Sequence, residues 1–211
     1  MLQSTFQPES VYHIYTHANG SENLFNCDSN YKYFLSKYSE HIYPIAETYA
    51  YCLMPNHFHL MVQMRTEREI IAYLRGKSVE LSSLQGLESL GGFSMIVSRS
   101  FSNLFNGYTQ AYNKMYNRKG SLFSPNFKRK EVTDESYMTQ LISYIHNNPV
   151  HHGFTDTLID WPYSSFHTYL SVKPTKLNRR YMTEWFGNKE GLIRFHKEEC
   201  LPQKLRLEDE I

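Results

Sequence analysis

Leu53-Met54-Pro55-Asn56-His57-Phe58-His59-Leu60-Met61-Val62 reads as a proline turn followed by a strand. Side chains of an extended chain alternate between two faces, so His57 and His59 share one face while Phe58, Leu60 and Val62 share the other. Pro55 has no amide hydrogen to give a ladder and Pro-Asn is turn chemistry, so the strand is expected to start next to the histidines. Two imidazoles on one face can ligate a divalent ion, but a third donor must come from elsewhere in the chain. Read alone, the pair is more simply two histidines on a partly solvated sheet face. The rest of the chain has to decide between the two.

Upstream, residues 45–53 read as a strand joined to the histidine strand by the tight turn at 54–56. Before it, Tyr33, Phe34, Tyr38 and Ile42 recur at helical spacing within residues 29–43, with Asp28 or Ser29 available as N-cap and Pro44 as the stop. Residues 11–17 alternate, are rich in β-formers and end in Ala18-Asn19-Gly20-Ser21, which marks a first strand and its turn. Strand, helix, strand, turn, strand is half of a ferredoxin-like sheet. On the first strand His13, Tyr15 and His17 read as the exposed or half-buried side of an edge strand, and His13 and His17 are not assigned to a metal.

Downstream, residues 66–76 suggest a helix with Glu67 and Glu69 in its first turn, and residues 77–94, rich in Ser, Gly and Leu, read as an insertion or flexible loop. A long amphipathic helix is expected over residues 95–117, with Tyr108, Tyr112 and Tyr116 four residues apart; that ladder is assigned to core packing. Lys114, Arg118, Lys119, Lys128, Arg129 and Lys130 then bring six cations into residues 114–130 with no acid, interleaved with Tyr116, Phe123 and Phe127. A charge run is ordinarily a solvated face, but cations interleaved with aromatics suit a phosphate backbone. Arg118, Lys119, Lys128, Arg129 and Lys130 are therefore candidate backbone contacts, with Phe123 and Phe127 as candidate stacking surfaces, and residues 127–132 as the last strand.

Asp134 is placed to cap a helix carrying Tyr137, Leu141, Tyr144 and Asn148 on one stripe, with Pro149 as its limit. Tyr144 and Asn148 lie one turn apart on one face, where a hydroxyl and an amide oxygen can approach one site; His146, His151 and His152 fall off the stripe or past its end. Tyr144 alone would be an ordinary half-buried aromatic. Residues 160–170 read as a loop and short helix, and the charged tail as an appendage with helices near 181–186 and 190–199. The expected fold is α+β: a ferredoxin-like (RRM-like) antiparallel sheet with helices on one face over residues 1–170, and a helical tail over 171–211.

Composition bounds the function less tightly. At 211 residues, 41% apolar and 15% aromatic, the chain can bury a proper core. A net charge of +1 argues against binding polyanions through overall charge, so a phosphate-binding surface has to be local. Cys27, Cys52 and Cys200 form no paired or metal-like spacing, which suits reduced thiols and a cytoplasmic protein. No signal peptide, no membrane span and no G-x-x-x-x-G-K-S/T phosphate loop are visible, so no nucleotide cofactor is expected.

Taken together, Tyr12-His13-Ile14, the 53–62 stretch, Gly120-Ser121-Leu122-Phe123, Tyr144-Ile145-His146-Asn147-Asn148-Pro149-Val150 and Trp161-Pro162-Tyr163-Ser164-Ser165 resemble, in this order, the REP-associated tyrosine transposases. These are a branch of the single-tyrosine HUH transposases, and the resemblance covers about residues 11–170. It implies an HUH endonuclease core on a ferredoxin-like sheet, with His57 and His59 as metal ligands on either side of the hydrophobic Phe58. It further implies Tyr144 as nucleophile on single-stranded or hairpin DNA, Asn148 as a further ligand and Mg²⁺ or Mn²⁺ as the metal. The implied product is a 5′-phosphotyrosine with a free 3′-hydroxyl, made by a monomer or homodimer. Relatives often carry arginine where this chain has His17.

The residues themselves support such chemistry. A phenol titrates near pH ~10 and needs help to attack phosphorus at neutral pH, which a cation on the phosphate can give. Two imidazoles and an amide oxygen accept Mn²⁺ or Zn²⁺ readily and Mg²⁺ weakly. Two other readings stay open: a non-catalytic module that binds hairpin DNA or RNA on the same sheet, and a metallohydrolase that activates water. The second would want carboxylates, and the nearest to the His pair in sequence are Glu47 and Glu67.

Overall fold

Both faces of the histidine-bearing sheet are buried. The computed structural model describes residues 5–76 and 90–198, and its strands are β1 (Val11–His17), β2 (Ala46–Leu53), β3 (His57–Met64) and β4 (Lys128–Val132). They pair antiparallel in the order β2-β3-β1-β4, the ferredoxin-like arrangement. β1 is therefore interior, not the edge strand expected, and every residue from Val11 to Thr16 is buried. The turn before β3 forms as its chemistry requires. Met54 N donates to the His57 carbonyl (2.8 Å), while Leu24 N and Ala18 N donate to the carbonyls of Pro55 and Asn56 and tie the turn to neighbouring loops.

One face carries Tyr12, Ile14, Phe58, Leu60 and Val62 against α1 (Asp28–His41) and α3 (Leu90–Met115), with Ile70 of α2 (Glu67–Gly76) completing the core. Phe58 is fully buried, its ring 5.3 Å from Phe34 and 6.0 Å from Phe105. Phe58→Ala removes that ring from a packed layer and is expected to cost about 3–5 kcal/mol of unfolding free energy, read from the urea midpoint. Two members of the tyrosine ladder pack as assigned, Tyr108 and Tyr112 being buried and donating to the Leu24 and Asn23 carbonyls, whereas Tyr116 is exposed outside the core and donates to Asn30 Oδ1.

The other face is covered as well, which corrects the expectation of helices on one face. α4 (Glu135–His151) packs there against Val11, Ala50, Cys52 and Met61. Its start follows the sequence, Asp134 accepting from Tyr137 N at 2.8 Å, but Pro149 does not limit it. A proline removes one helical donor, and the turn continues because His152 N bonds the Asn148 carbonyl and Phe154 N the Pro149 carbonyl. Two other boundaries differ. α1 starts at Asp28 with Cys27 as an N-cap whose side chain makes no capping bond, so Asp28 serves the first turn by its charge and by pairing Lys32. Residues 90–94 of the expected loop belong to α3, where Ser94 Oγ accepts from Phe6 N; residues 77–89 lie outside the described residues.

α5 (Phe166–Leu170), α6 (Arg180–Phe186) and α7 (Lys189–Glu198) close over α4 and β2. Tyr181 and Trp185 pack edge-on to Tyr49, and Leu192 joins Phe166 and Tyr169. A buried polar chain runs through this layer: Ser165 Oγ lies 2.7 Å from His146 Nε2, and His146 Nδ1 lies 2.8 Å from His196 Nε2. Burial holds His146 well below the usual imidazole range and His196 down to about 4. Both stay neutral in the fold while the unfolded chain takes up protons below about pH 6.5, so their stabilisation is complete above that pH and is lost as it falls toward 4. The urea midpoint is expected to fall between pH 7 and 4.5, and a His146→Leu, His196→Leu double variant should lose part of that dependence. No helix of the described residues is long and apolar enough to cross a membrane.

Candidate active site

The side chains singled out on β3 and α4 meet on the α4 face of the sheet. Alternation puts His57 and His59 there, and the β1–β3 register sets His17 opposite His57 and Tyr15 opposite His59. One helical turn puts Tyr144 and Asn148 on the face of α4 that covers them. Asn148 Oδ1 lies 3.1 Å from His57 Nε2, and the Tyr144 ring stands edge-on to His59 with centroids 5.4 Å apart. All four are buried: His57 and His59 at 1% exposure, Asn148 at 0% and Tyr144 at 3%.

Each histidine has its Nδ1 occupied. His57 Nδ1 lies 2.8 Å from Asn56 Oδ1, and His59 Nδ1 lies 2.9 Å from His13 Nε2. Burial pushes His57 down to about 3 and His59 well below the usual range, so both rings are neutral and carry one proton each. With its proton on Nε2 His57 donates to the Asn148 amide oxygen; with its proton on Nδ1, toward Asn56 Oδ1, the Nε2 lone pair faces that oxygen, a juxtaposition that a cation satisfies. His59 Nε2 is buried with no hydrogen-bond partner among the described residues, as is Asn148 Nδ2. Two neutral Nε2 donors and an amide oxygen on one buried face fit a divalent ion. Among the described residues no three His, Cys, Asp or Glu side chains gather as a metal site, and the Asn148 amide oxygen faces His57 as a candidate further donor. Glu47, one of the two nearest carboxylates in sequence, is engaged by Arg65 and Asn178.

Three further histidines join the site. His13 is fully buried against His59, and the His17 ring stacks on His57 at 4.7 Å and 14°. His152 stands 4.7 Å from His57, carried there by the helical turn that passes Pro149. The placement of His13 and His17 depends on β1 lying inside the sheet. A signal for that was present, since residues 11–17 contain no Lys, Arg, Asp or Glu whereas residues 128–132 read Lys-Arg-Lys-Glu-Val, the charge pattern of an edge.

No protein-family model matches the chain. A protein of Haemophilus influenzae named as a REP-associated tyrosine transposase is 28% identical to it over 156 residues, 72% of this chain and 73% of that one. The chain is similar to the REP-associated tyrosine transposases. A solved structure of a REP-associated tyrosine transposase bound to a REP hairpin shares the fold, with a TM-score of 0.56 at 15% identity over 82% of this chain and 88% of that one.

The structure divides the residues that the charge run and its interleaved aromatics set aside for DNA. β4 pairs with β1 so that Lys128 sits beside Tyr15 and Lys130 beside His13, both exposed and on the face of the histidines. Lys119 is exposed in the loop before them. Arg129 points to the opposite face, its guanidinium 4.4 Å over the Phe6 ring. Arg118 is held within the protein: it pairs with Glu22 and donates to Asn113 Oδ1 and the Ser121 carbonyl. The acid missing from residues 114–130 thus arrives from another part of the chain. Phe123 is 7% exposed and packs with Phe105 and Tyr108, so it offers no surface to a base; Phe127 is half-buried against Phe101.

Proposed function

We propose that this chain is a metal-dependent tyrosine transposase that nicks and joins single-stranded or hairpin DNA through a 5′-phosphotyrosine. The observation that carries the reading is the convergence of Tyr144 and Asn148 of α4 on His57 and His59 of β3, with one buried unpartnered nitrogen on His59. His57, His59 and Asn148 would hold Mg²⁺ or Mn²⁺. The bound cation supplies charge neutralisation at the phosphate and at the departing 3′ oxygen.

The Tyr144 oxygen attacks phosphorus in line, a phosphorus–oxygen bond to tyrosine forms and the bond to the 3′ oxygen breaks. The phenolic proton is given up to solvent or a neighbouring imidazole, and the departing 3′ oxygen takes one. Attack by a 3′-hydroxyl reverses the step, so the linkage is conserved without a nucleotide triphosphate. The relatives' name and the hairpin held by the solved neighbour support DNA hairpins as the substrate class.

The test is incubation with single-stranded hairpin oligonucleotides and Mn²⁺, followed by intact-protein mass spectrometry and peptide mapping. A mass gain of one oligonucleotide fragment at Tyr144, abolished by chelator, is the expected result. Binding without any adduct would instead support a non-catalytic hairpin-binding module. For the DNA surface, Lys128→Ala with Lys130→Ala is expected to weaken hairpin binding and to lower the slope of log affinity against log salt by about 2. Arg118→Ala should leave that slope unchanged, because its guanidinium is already paired with Glu22.

A further inference from the structure

This inference rests on the metal reading above. His59 and His13 are both buried, with ring centroids 5.1 Å apart, and share the hydrogen bond between His59 Nδ1 and His13 Nε2. Two neutral imidazoles carry one proton each, and a single bond between them uses one of the two. If His13 donates, the His59 proton sits on Nε2, where it has no acceptor among the described residues and blocks ligation. If His59 donates, the His13 proton sits on Nδ1, which likewise has no acceptor among the described residues, and His59 Nε2 keeps a lone pair on the face of His57 and Asn148; hydrogen bonding costs the two arrangements alike, and a cation at Nε2 selects the second. The His13 ring is itself fixed, stacked at 4.8 Å on Tyr15 and met edge-on by Tyr144 at 6.3 Å. His57 shows the same pattern through Asn56 Oδ1.

We propose that His13 is a positioning residue of the metal centre: it accepts the Nδ1 proton of His59 and so holds that ring in the tautomer and orientation that present Nε2 to a divalent cation. Partners of this kind orient metal-bound histidines, and their loss commonly costs about 10–100-fold in metal affinity. Among the described residues His59 Nδ1 makes this hydrogen bond with His13 and no other.

The test uses the full chain without DNA. His13→Phe keeps a ring and removes the acceptor, whereas His13→Gln places an amide oxygen close to where Nε2 stood. By titration calorimetry, His13→Phe should weaken Mn²⁺ binding at least about tenfold and His13→Gln should recover most of the loss. ¹⁵N spectra of the imidazoles should show the wild-type His59 proton on Nδ1 before metal is added. Unchanged Mn²⁺ affinity in a folded His13→Phe, or a wild-type His59 proton on Nε2, overturns the proposal. Should His13→Phe fail to fold, His13→Gln and the wild-type spectrum decide. A wild-type chain that binds no Mn²⁺ overturns the metal reading itself and this inference with it, a result distinct from the failure of His13 alone.

Discussion

Tyr144→Phe is expected to lower formation of the covalent DNA adduct by at least about a thousandfold while leaving hairpin binding and the fold in place. The substitution removes one oxygen and keeps the ring, which packs against His59 at 5.4 Å and against His151 at 6.4 Å. Any loss of adduct therefore reports on the hydroxyl and not on the packing of α4. A second phenol provides an internal control. Tyr15 lies on the same face, stacked on His59 at 5.6 Å and 22°, and is just as buried. An adduct that persists in Tyr144→Phe and maps to Tyr15 would place the nucleophile on β1 instead. The assay separates the two because they fall in different proteolytic peptides.

Addition of Mn²⁺ at a hundredfold excess over its dissociation constant is expected to stabilise the wild-type chain by about 2.7 kcal/mol, because an ion that binds only the folded state shifts the folding equilibrium by mass action. For a domain of this size that corresponds to a rise of roughly 5–11 °C in Tm. His57→Ala and His59→Ala should each abolish the rise, read by differential scanning calorimetry with and without metal. The apo variants control for lost packing, since both rings are buried and their removal lowers the starting Tm. Asn148→Ala tests the amide oxygen separately: the imidazole pair remains, so a reduced shift is expected there in place of a complete loss. A rise that survives both histidine substitutions would move the metal to another part of the chain.

Much of this site was legible before any coordinates. The His57–His59 face follows from a period of two, the Tyr144–Asn148 face from a period near four, and each period is a local property of the chain. What local pattern does not carry is the order of strands. The local pattern of β1 suits an edge, which leaves His13 and His17 aside, whereas the observed order gives β1 a partner on each side and sets both rings against His59 and His57. His152 was missed for a related reason: Pro149 was taken as a stop, but a proline within a packed helix costs one bond and need not end it. The basic run was misjudged where the third dimension intervenes. Glu22, 96 residues away, neutralises Arg118, and the aromatic core claims Phe123. By contrast Lys128 and Lys130, candidate backbone contacts in the sequence, are exposed, and only the sheet shows that they stand beside Tyr15 and His13.

The position of β4 has a consequence apart from DNA. Its five residues form an outer strand of the sheet, hydrogen-bonded to β1 alone among the described strands, so its far side carries backbone donors and acceptors that an extended peptide can pair with. Such a border is a template on which foreign strands, or other copies of the same chain, can add and grow into aggregates. Exposed lysines two residues apart make that addition electrostatically and sterically poor, above all for a copy bearing the same charges. Lys128 and Lys130 thus guard the solubility of the protein as well as its proposed grip on a phosphate backbone, and an apolar replacement at either would weaken both at once.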